Sequence, residues 1–380
     1  MWHTDAYGFN IAPMVGANHK GQRRTDMTNR ITVGVDLGDQ SHSICVLDAD
    51  GNVIERKTLA NTAAALRKYF EALPPALVAM EAGAHSAWVS QLLSGLNHNV
   101  VVGNPRKMAM IWNSYDKSDI TDAEKLARMA RFDLRLLHPI HHRGKAAHAD
   151  LAIIKSRDML VKSRSMMIAH ARGLVKSVGQ RISKCSTESF HTRLNDEMPE
   201  ELRPALEPLV KIIEELTARI RHYNNLIDKK CREDYPETEA LLAISGVGPV
   251  TALAFVLTLE DHKRFNNSRE VGAFLGLVPR RDQSGNTDKQ LRITKAGDSY
   301  LRRLLVGSAQ YILGPFGPDC DLRRFGLKLA ARGGMNGKRR AVVAVARRLA
   351  VMMHHLWKTG KTYDAFHRQT SKKGNRGDAA

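Results

Sequence analysis

Four cysteines in 380 residues, Cys45, Cys185, Cys231 and Cys320, form no CxxC pair and no disulfide-framework spacing. A disulfide-stapled secreted scaffold is excluded, and reduced thiols in a cytoplasmic setting are expected. No run approaches the roughly 18 apolar residues of a membrane span, and MWHTDAYGFNIAPMVGANHKGQRRTD lacks a signal peptide's apolar core. A partner membrane is not expected. Walker A and HExxH are absent, and His141, His142 and His148 have no zinc-type spacing with cysteines. Acidic residues are also short in supply, 39 Asp+Glu against 58 Lys+Arg, for a net charge of +19.

That charge is uneven. Residues 261–380 hold 25 Lys+Arg and 9 Asp+Glu, so the last third carries 16 of the 19 excess charges. A one-signed field of this strength attracts phosphate backbones by counterion release, whereas a merely solubilising surface mixes both signs. A nucleic-acid partner is therefore expected. At 43% hydrophobic residues, the chain also has material for two or three buried cores.

Residues 1–29 show no sustained periodicity and read as a flexible N-terminal extension, and 367–380 as a basic tail. ITVGVDLG and SHSICVLDADGNVIERKTL read as three antiparallel strands, the second pair joined at Asp50-Gly51. NTAAALRKYFEAL, AHSAWVSQLLSGL and DITDAEKLARMARF then read as helices, alternating with strands ALVAM and NVVVG. Such alternation after a meander predicts a mixed α/β sheet over residues 30–140. Over 150–232, Ile154, Val161, Ile168, Val175 and Ile182 recur every seven residues, and Leu209, Ile213, Leu216, Ile220, Tyr223 and Ile227 alternate spacings of four and three. These heptad seams predict a long coiled-coil arm, either an antiparallel hairpin or a pairing between subunits. A mainly helical domain follows over 238–366.

Four acids sit at the edges of predicted core elements: Asp36 after TVGV, Glu81 after ALVAM, and Asp119 and Asp122 at a helix start. Residues three apart share a helix face, so the four can converge on one cavity. Hard oxygen ligands at that density suit Mg²⁺, or Mn²⁺, and two such ions could serve an in-line phosphoryl displacement. Taken alone, Asp119 and Asp122 read first as helix N-terminal acids favoured by the dipole, and the set of four changes that balance.

In the basic third, ISGVGP places Gly246 and Gly248 between two apolar helical segments, as in a helix-hairpin-helix motif whose amides approach a phosphate; a plain capping turn is the alternative. Ser284 stands in a Gly-containing loop among Arg280, Arg281, Arg292 and Lys295. It reads as a turn residue, or as a nucleophile beside cations that stabilise a scissile phosphate. Lys338, Arg339 and Arg340 open a basic helix after a Gly-rich turn and suit backbone contact with DNA or RNA. His354, His355, Lys358 and Tyr363 faintly resemble a tyrosine recombinase but lack its arginine pattern.

Taken in order, VGVDLG, MEAG, KSDITDAEKLA, ISGVGP, FLGLVPRRDQSG, ITKAGDSYLRRLL and NGKRRAVVAVARRLA resemble the DEDD transposases of the insertion-sequence-110 family across residues 31 to 365. The resemblance implies a RuvC-like, RNase H-like domain, a coiled-coil arm and a C-terminal transposase domain. Asp36, Glu81, Asp119 and Asp122 match its acids and Ser284 its nucleophile. It further implies a prokaryotic, nucleoid-associated recombinase that uses a noncoding bridge RNA to pair donor and target DNA and works as a homo-oligomer, a dimer assembling to a tetramer. A RuvC-like, structure-selective nuclease using activated water is the rival reading, and a non-catalytic binding protein a third.

Overall fold

The computed structural model describes residues 31–108, 118–284, 287–334 and 336–367. The expected N-terminal extension and all but the first residue of the basic tail lie outside the described residues. The described elements, in chain order, are β1 Thr32–Leu37, β2 Ser41–Leu47, β3 Val53–Ala60, α1 Ala63–Glu71, β4 Leu77–Glu81, α2 Ser86–Gly95, β5 Asn99–Gly103 and α3 Asp119–Phe132. Then come α4 Lys145–Ser177, α5 Phe190–Asp196, α6 Arg203–Glu233, α7 Thr238–Leu242, α8 Pro249–Leu259 and α9 Arg269–Phe274. The hairpin β6 Pro279–Ser284 and β7 Thr287–Ile293 precedes α10 Ser299–Leu313, α11 Asp321–Ala330 and α12 Gly337–Thr359. The described residues fall into two compact units: those within 31–143 together with 263–303, and those within 144–262 together with 304–367.

In the first unit, five strands form one mixed sheet in the order β3-β2-β1-β4-β5. β1, β2 and β3 are an antiparallel meander, whereas β4 and β5 run parallel to β1. This topology is compatible with an RNase H-like domain. Gly51, at φ 90°, permits the β2–β3 turn, and the Asp48 carboxylate closes it by accepting from the amides of Asp50 and Asn52. Alternation then sorts the side chains into two layers. Val33, Val35, Ile44, Val46, Val78 and Met80 pack with Leu66 and Phe70 of α1 and Val89 and Leu93 of α2. On the opposite face, Cys45, Leu47, Leu77 and Ala79 meet Ala123, Leu126, Ala127 and Ala130 of α3. Each large apolar side chain so buried contributes about 1.5–3 kcal/mol, against about 0–1 kcal/mol for an exposed ion pair. Packing, not charge, therefore holds the frame.

In the second unit, α4 and α6 run antiparallel within one chain. Asp150 meets Lys230, Arg157 meets Asn224 and Arg164 meets Thr217, each step seven residues along one helix and six or seven back along the other. Of the predicted seam, Ile154, Ile168 and Val175 are buried and Val161 half-buried, while Ile182 lies beyond the helix end. Arg164 is buried instead, its guanidinium donating to the Thr217 and Thr187 hydroxyls at 3.2 and 3.3 Å. A buried polar layer of this kind fixes the register of paired helices.

His354, read above as a weak catalytic candidate, is fully buried in α12 and its Nε2 lies 3.0 Å from the His262 carbonyl. It is a core residue. Burial pushes the His354 imidazole below the usual histidine range, and that of buried His42 likewise. A histidine with a depressed folded pKa gives the unfolded chain the greater proton affinity, so its stabilisation is complete above about pH 6.5 and is lost as the pH falls through the folded value. The melting temperature is expected to drop between pH 7.5 and pH 5.5, and His354→Gln to shrink that drop; calorimetry across the range checks both.

Candidate active site

The β1–β4 register runs from Thr32 opposite Leu77 to Val35 opposite Met80. One step further, Asp36 and Glu81 end adjacent parallel strands. Both lie on the α3 side of the sheet: Asp36 alternates with Gly34, Glu81 with Leu77 and Ala79. The contact at Gly34 is extreme, since a Cβ there would stand 1.8 Å from the Ala123 carbonyl oxygen and 2.8 Å from the Ala127 nitrogen. Only glycine lets α3 lie this close.

The direction of α3 follows from its other end. Arg128 donates to the Gly51 carbonyl at 3.3 Å, and the Arg131 Nε approaches Gly51 as well. Gly51 belongs to the β2–β3 turn, at the end of the sheet where β1 begins, so the N-terminus of α3 points to the end where β1 and β4 finish. The Ser118 hydroxyl caps that N-terminus by accepting from the Thr121 amide, and Asp119 and Asp122 occupy the first turn. Asp36 and Glu81 are half-buried, Asp122 buried and Asp119 exposed. Backbone placement thus brings all four predicted acids to one edge on one face.

Their side chains do not close around a point. Among the described residues, no group of three or more His, Cys, Asp or Glu stands in an arrangement that could hold a metal ion. Lys125 reaches the Asp122 carboxylate at 3.1 Å and supplies a cation there. Glu124, the remaining acid of the helix start, is committed elsewhere: Arg56 and then Arg128 bond it at 2.7 and 2.8 Å and hold its carboxyl below the usual range.

Three residues at this edge were not singled out in the sequence. The Trp88 indole donates to His85 Nδ1 at 3.2 Å, which leaves the ring proton on Nε2, 3.3 Å from Asp39 Oδ1. Asp39 lies in the β1–β2 turn and His85 in the β4–α2 turn, so this chain ties together the loops that follow Asp36 and Glu81. In the sequence His85 and Trp88 read only as parts of a helix; their spacing of three was the available signal.

Ser284 is not in a loop. It is the last residue of β6, paired with Thr287 in a separate two-stranded sheet, and exposed. Arg280 and Arg281 are exposed on the same strand, Arg281 bridged to Asp288 at 2.6 Å. Arg292 and Lys295 are exposed on the return, Lys295 in the left-handed region at φ 55°. The hairpin's base is rigid: Gly297, at φ 71°, has no room for a Cβ, which would stand 2.0 Å from the Phe274 carbonyl oxygen, and Arg302 donates to the Leu275 and Ala296 carbonyls. Buried Arg143 and Asp298 pair at 3.2 Å, within the same unit as the acids. In the second unit, Gly246 at φ 89° turns the chain between α7 and α8, Gly248 precedes α8, and Lys338, Arg339 and Arg340 are exposed at the start of α12.

Four acids thus share one edge of a mixed sheet, and an exposed serine ends a strand that carries exposed arginines. Comparison with known proteins gives the family. The DEDD_Tnp_IS110 model, described as a transposase, matches residues 33–179, and the model of the IS116/IS110/IS902 transposase family matches residues 238–318. A probable family 20 transposase of Pseudomonas aeruginosa is 30% identical over 75% of this chain and 85% of its own. The transposase for insertion sequence element IS1111A of Coxiella burnetii is 28% identical over 90% of this chain and 93% of its own, and that for IS1328 of Yersinia enterocolitica 30% over 75% and 84%. The chain belongs to the IS110 family of DEDD transposases and is a DNA transposase. The family implies a divalent cation, and among the described residues no helix is long and apolar enough to cross a membrane.

Proposed function

We propose that this transposase is a site-specific recombinase that cuts and rejoins DNA through Ser284, with Mg²⁺, or Mn²⁺, held by Asp36, Glu81, Asp119 and Asp122. The observation that supports the reading is the β1–β4 register, which ends at Val35 opposite Met80 and leaves Asp36 and Glu81 as the next residues of adjacent parallel strands. The donor set is all hard oxygen, which fits a divalent cation of this class. When bound, such an ion supplies Lewis-acid stabilisation of the charge developing on phosphate oxygens.

The Ser284 hydroxyl attacks a backbone phosphorus. An Oγ–P bond forms, one P–O bond of the strand breaks, and the proton lost by Oγ is balanced by one gained on the departing strand oxygen. A second strand end then attacks the phosphoserine and releases Ser284. Exposure of Ser284 at a hairpin tip suits a nucleophile that must enter a DNA groove, and Arg280, Arg281, Arg292 and Lys295 flank it to hold phosphate.

Along the chain, residues 30–140 carry the acids, 150–232 form a coiled-coil arm that also pairs subunits, and 238–366 hold the serine, with the Gly246–Gly248 turn and Lys338, Arg339 and Arg340 on nucleic-acid backbones; in space, residues 263–303 with the Ser284 hairpin join the unit of the acids. Donor and target DNA are chosen by pairing with a noncoding bridge RNA, and dimers assemble to a tetramer in which a serine and a set of acids come from different subunits. The protein works in the cytoplasm, on nucleoid DNA. Incubating the purified chain with the RNA that flanks its element, donor DNA and Mg²⁺ tests this. A denaturant-resistant protein–DNA adduct is expected in the wild type and none in Ser284→Ala. Cleavage without an adduct, unaffected by the substitution, would instead assign hydrolysis by activated water.

A further inference from the structure

Phe316, outside the acid edge and the serine hairpin, is an exposed aromatic in a firmly held segment. Phe316 is 84% exposed, in the segment 314–320 that joins α10 to α11. Exposure of a phenyl ring is unfavourable, yet the chain around it is held firmly. The Arg323 guanidinium donates to the carbonyls of Ile312 and Gly314, and the Gly317 amide to Gly314 at 3.3 Å. A Cβ on Gly317 would stand 2.3 Å from the Ile312 carbonyl oxygen, so only glycine lets the segment fold back on the helix end. Pro315 and Pro318 fix φ close by. The segment is built to hold Phe316 outward.

A second aromatic lies five residues earlier. Tyr311, on the last turn of α10, is 48% exposed and packs on the glycine turn, its ring 3.0 Å from the place of a Cβ on Gly246. Gly248, two residues on, is exposed, and a Cβ on it would have nothing within 4 Å. Open backbone, a half-exposed tyrosine and an outward phenylalanine therefore belong to one unit, with Lys328 and Arg332 exposed on and just after α11.

We propose that Phe316, with Tyr311, is a stacking platform for an unpaired base of the DNA substrate. A base offers a flat π face that stacks on an aromatic ring without regard to sequence. Its neighbouring phosphates meet open backbone at Gly248 and the α11 cations. The exposed cations Lys328 and Arg332 of the same unit complement a polyanion, which favours nucleic acid as the occupant. The proposal rests on the DNA-acting class of the family and not on the serine chemistry, so binding is measured without cleavage and either can fail alone.

The test is fluorescence anisotropy of the full chain, without divalent ions, on a short duplex and on the same duplex with a central unpaired bubble. Phe316→Ala is expected to weaken bubble binding about 5-fold or more, the loss of one base–aromatic stack, and to leave duplex binding unchanged. Phe316→Trp keeps wild-type affinity, whereas Phe316→Leu, which keeps bulk without a π face, behaves as alanine. The salt dependence stays the same, since no phosphate contact is removed. At its exposure the ring supports no core, so the variants fold, which melting temperatures verify. Equal losses on duplex and bubble, no loss at all, a loss confined to single-stranded RNA, or a lower sedimentation mass for Phe316→Ala would each overturn the proposal, the last by making the segment a contact between copies.

Discussion

Asp36→Asn is expected to lower DNA cleavage by about 10³-fold or more while moving the melting temperature by no more than about 2 °C. Removal of one preorganised electrostatic partner of a reacting phosphoryl group costs about 10²–10³ in rate, and Asp36 is additionally a member of a set whose other acids, on β4 and α3, cannot replace it from their own positions. Stability should barely respond. Asp36 is half-buried at a strand end, Asn has nearly the same shape, and a change at such a site stays within about 0.5 kcal/mol. Glu81→Gln should behave the same way, because the register places it beside Asp36 on the same face. A cleavage assay paired with thermal unfolding decides the matter. Full activity in Asp36→Asn would remove the acid edge from the reaction.

Gly34→Ala should also abolish activity, for an unrelated reason. The new methyl group would overlap backbone atoms of Ala123 and Ala127 rather than the end of a flexible side chain. Overpacking of this kind costs about 1–3 kcal/mol and occasionally more, and the relief available is for α3 to lift from the sheet, carrying Asp119 and Asp122 away from Asp36 and Glu81. The two substitutions thus separate chemistry from architecture: Asp36→Asn loses activity at constant stability, and Gly34→Ala loses both. If Gly34→Ala kept its melting temperature and its activity, α3 would not lie on β1 as described.

Much of this frame was legible in the amino-acid pattern. The hairpin at Asp50-Gly51, the strands ALVAM and NVVVG, and the helix DITDAEKLARMARF announce themselves through period, turn residues and caps. What was not legible depends on close approach in space. Nothing local marks Gly34 as the point where a helix 89 residues later touches the sheet. The Trp88–His85–Asp39 chain joins two turns that are neighbours only because β1 and β4 are parallel partners. Ser284 read as a turn residue because glycine follows it, whereas ladder pairing with Thr287 makes it the end of a strand. Ile154, Ile168 and Val175 are buried on α4, but burial of Arg164 between the two long helices depends on tertiary partners, Thr187 and Thr217, that a periodicity cannot see. The four acids stand out in the sequence by their places at element ends, whereas the pairing that sets β1 beside β4 is a matter of register.

The measurement that bears most directly on the account is tandem mass spectrometry of a completed reaction after protease and nuclease digestion. A nucleotide mass on the peptide containing Ser284 is predicted with Mg²⁺ present, and its absence with Mg²⁺ chelated and in Asp36→Asn. A nucleotide on any other residue, or cut DNA with no modified peptide at all, would contradict the claim that the acids and Ser284 serve one reaction.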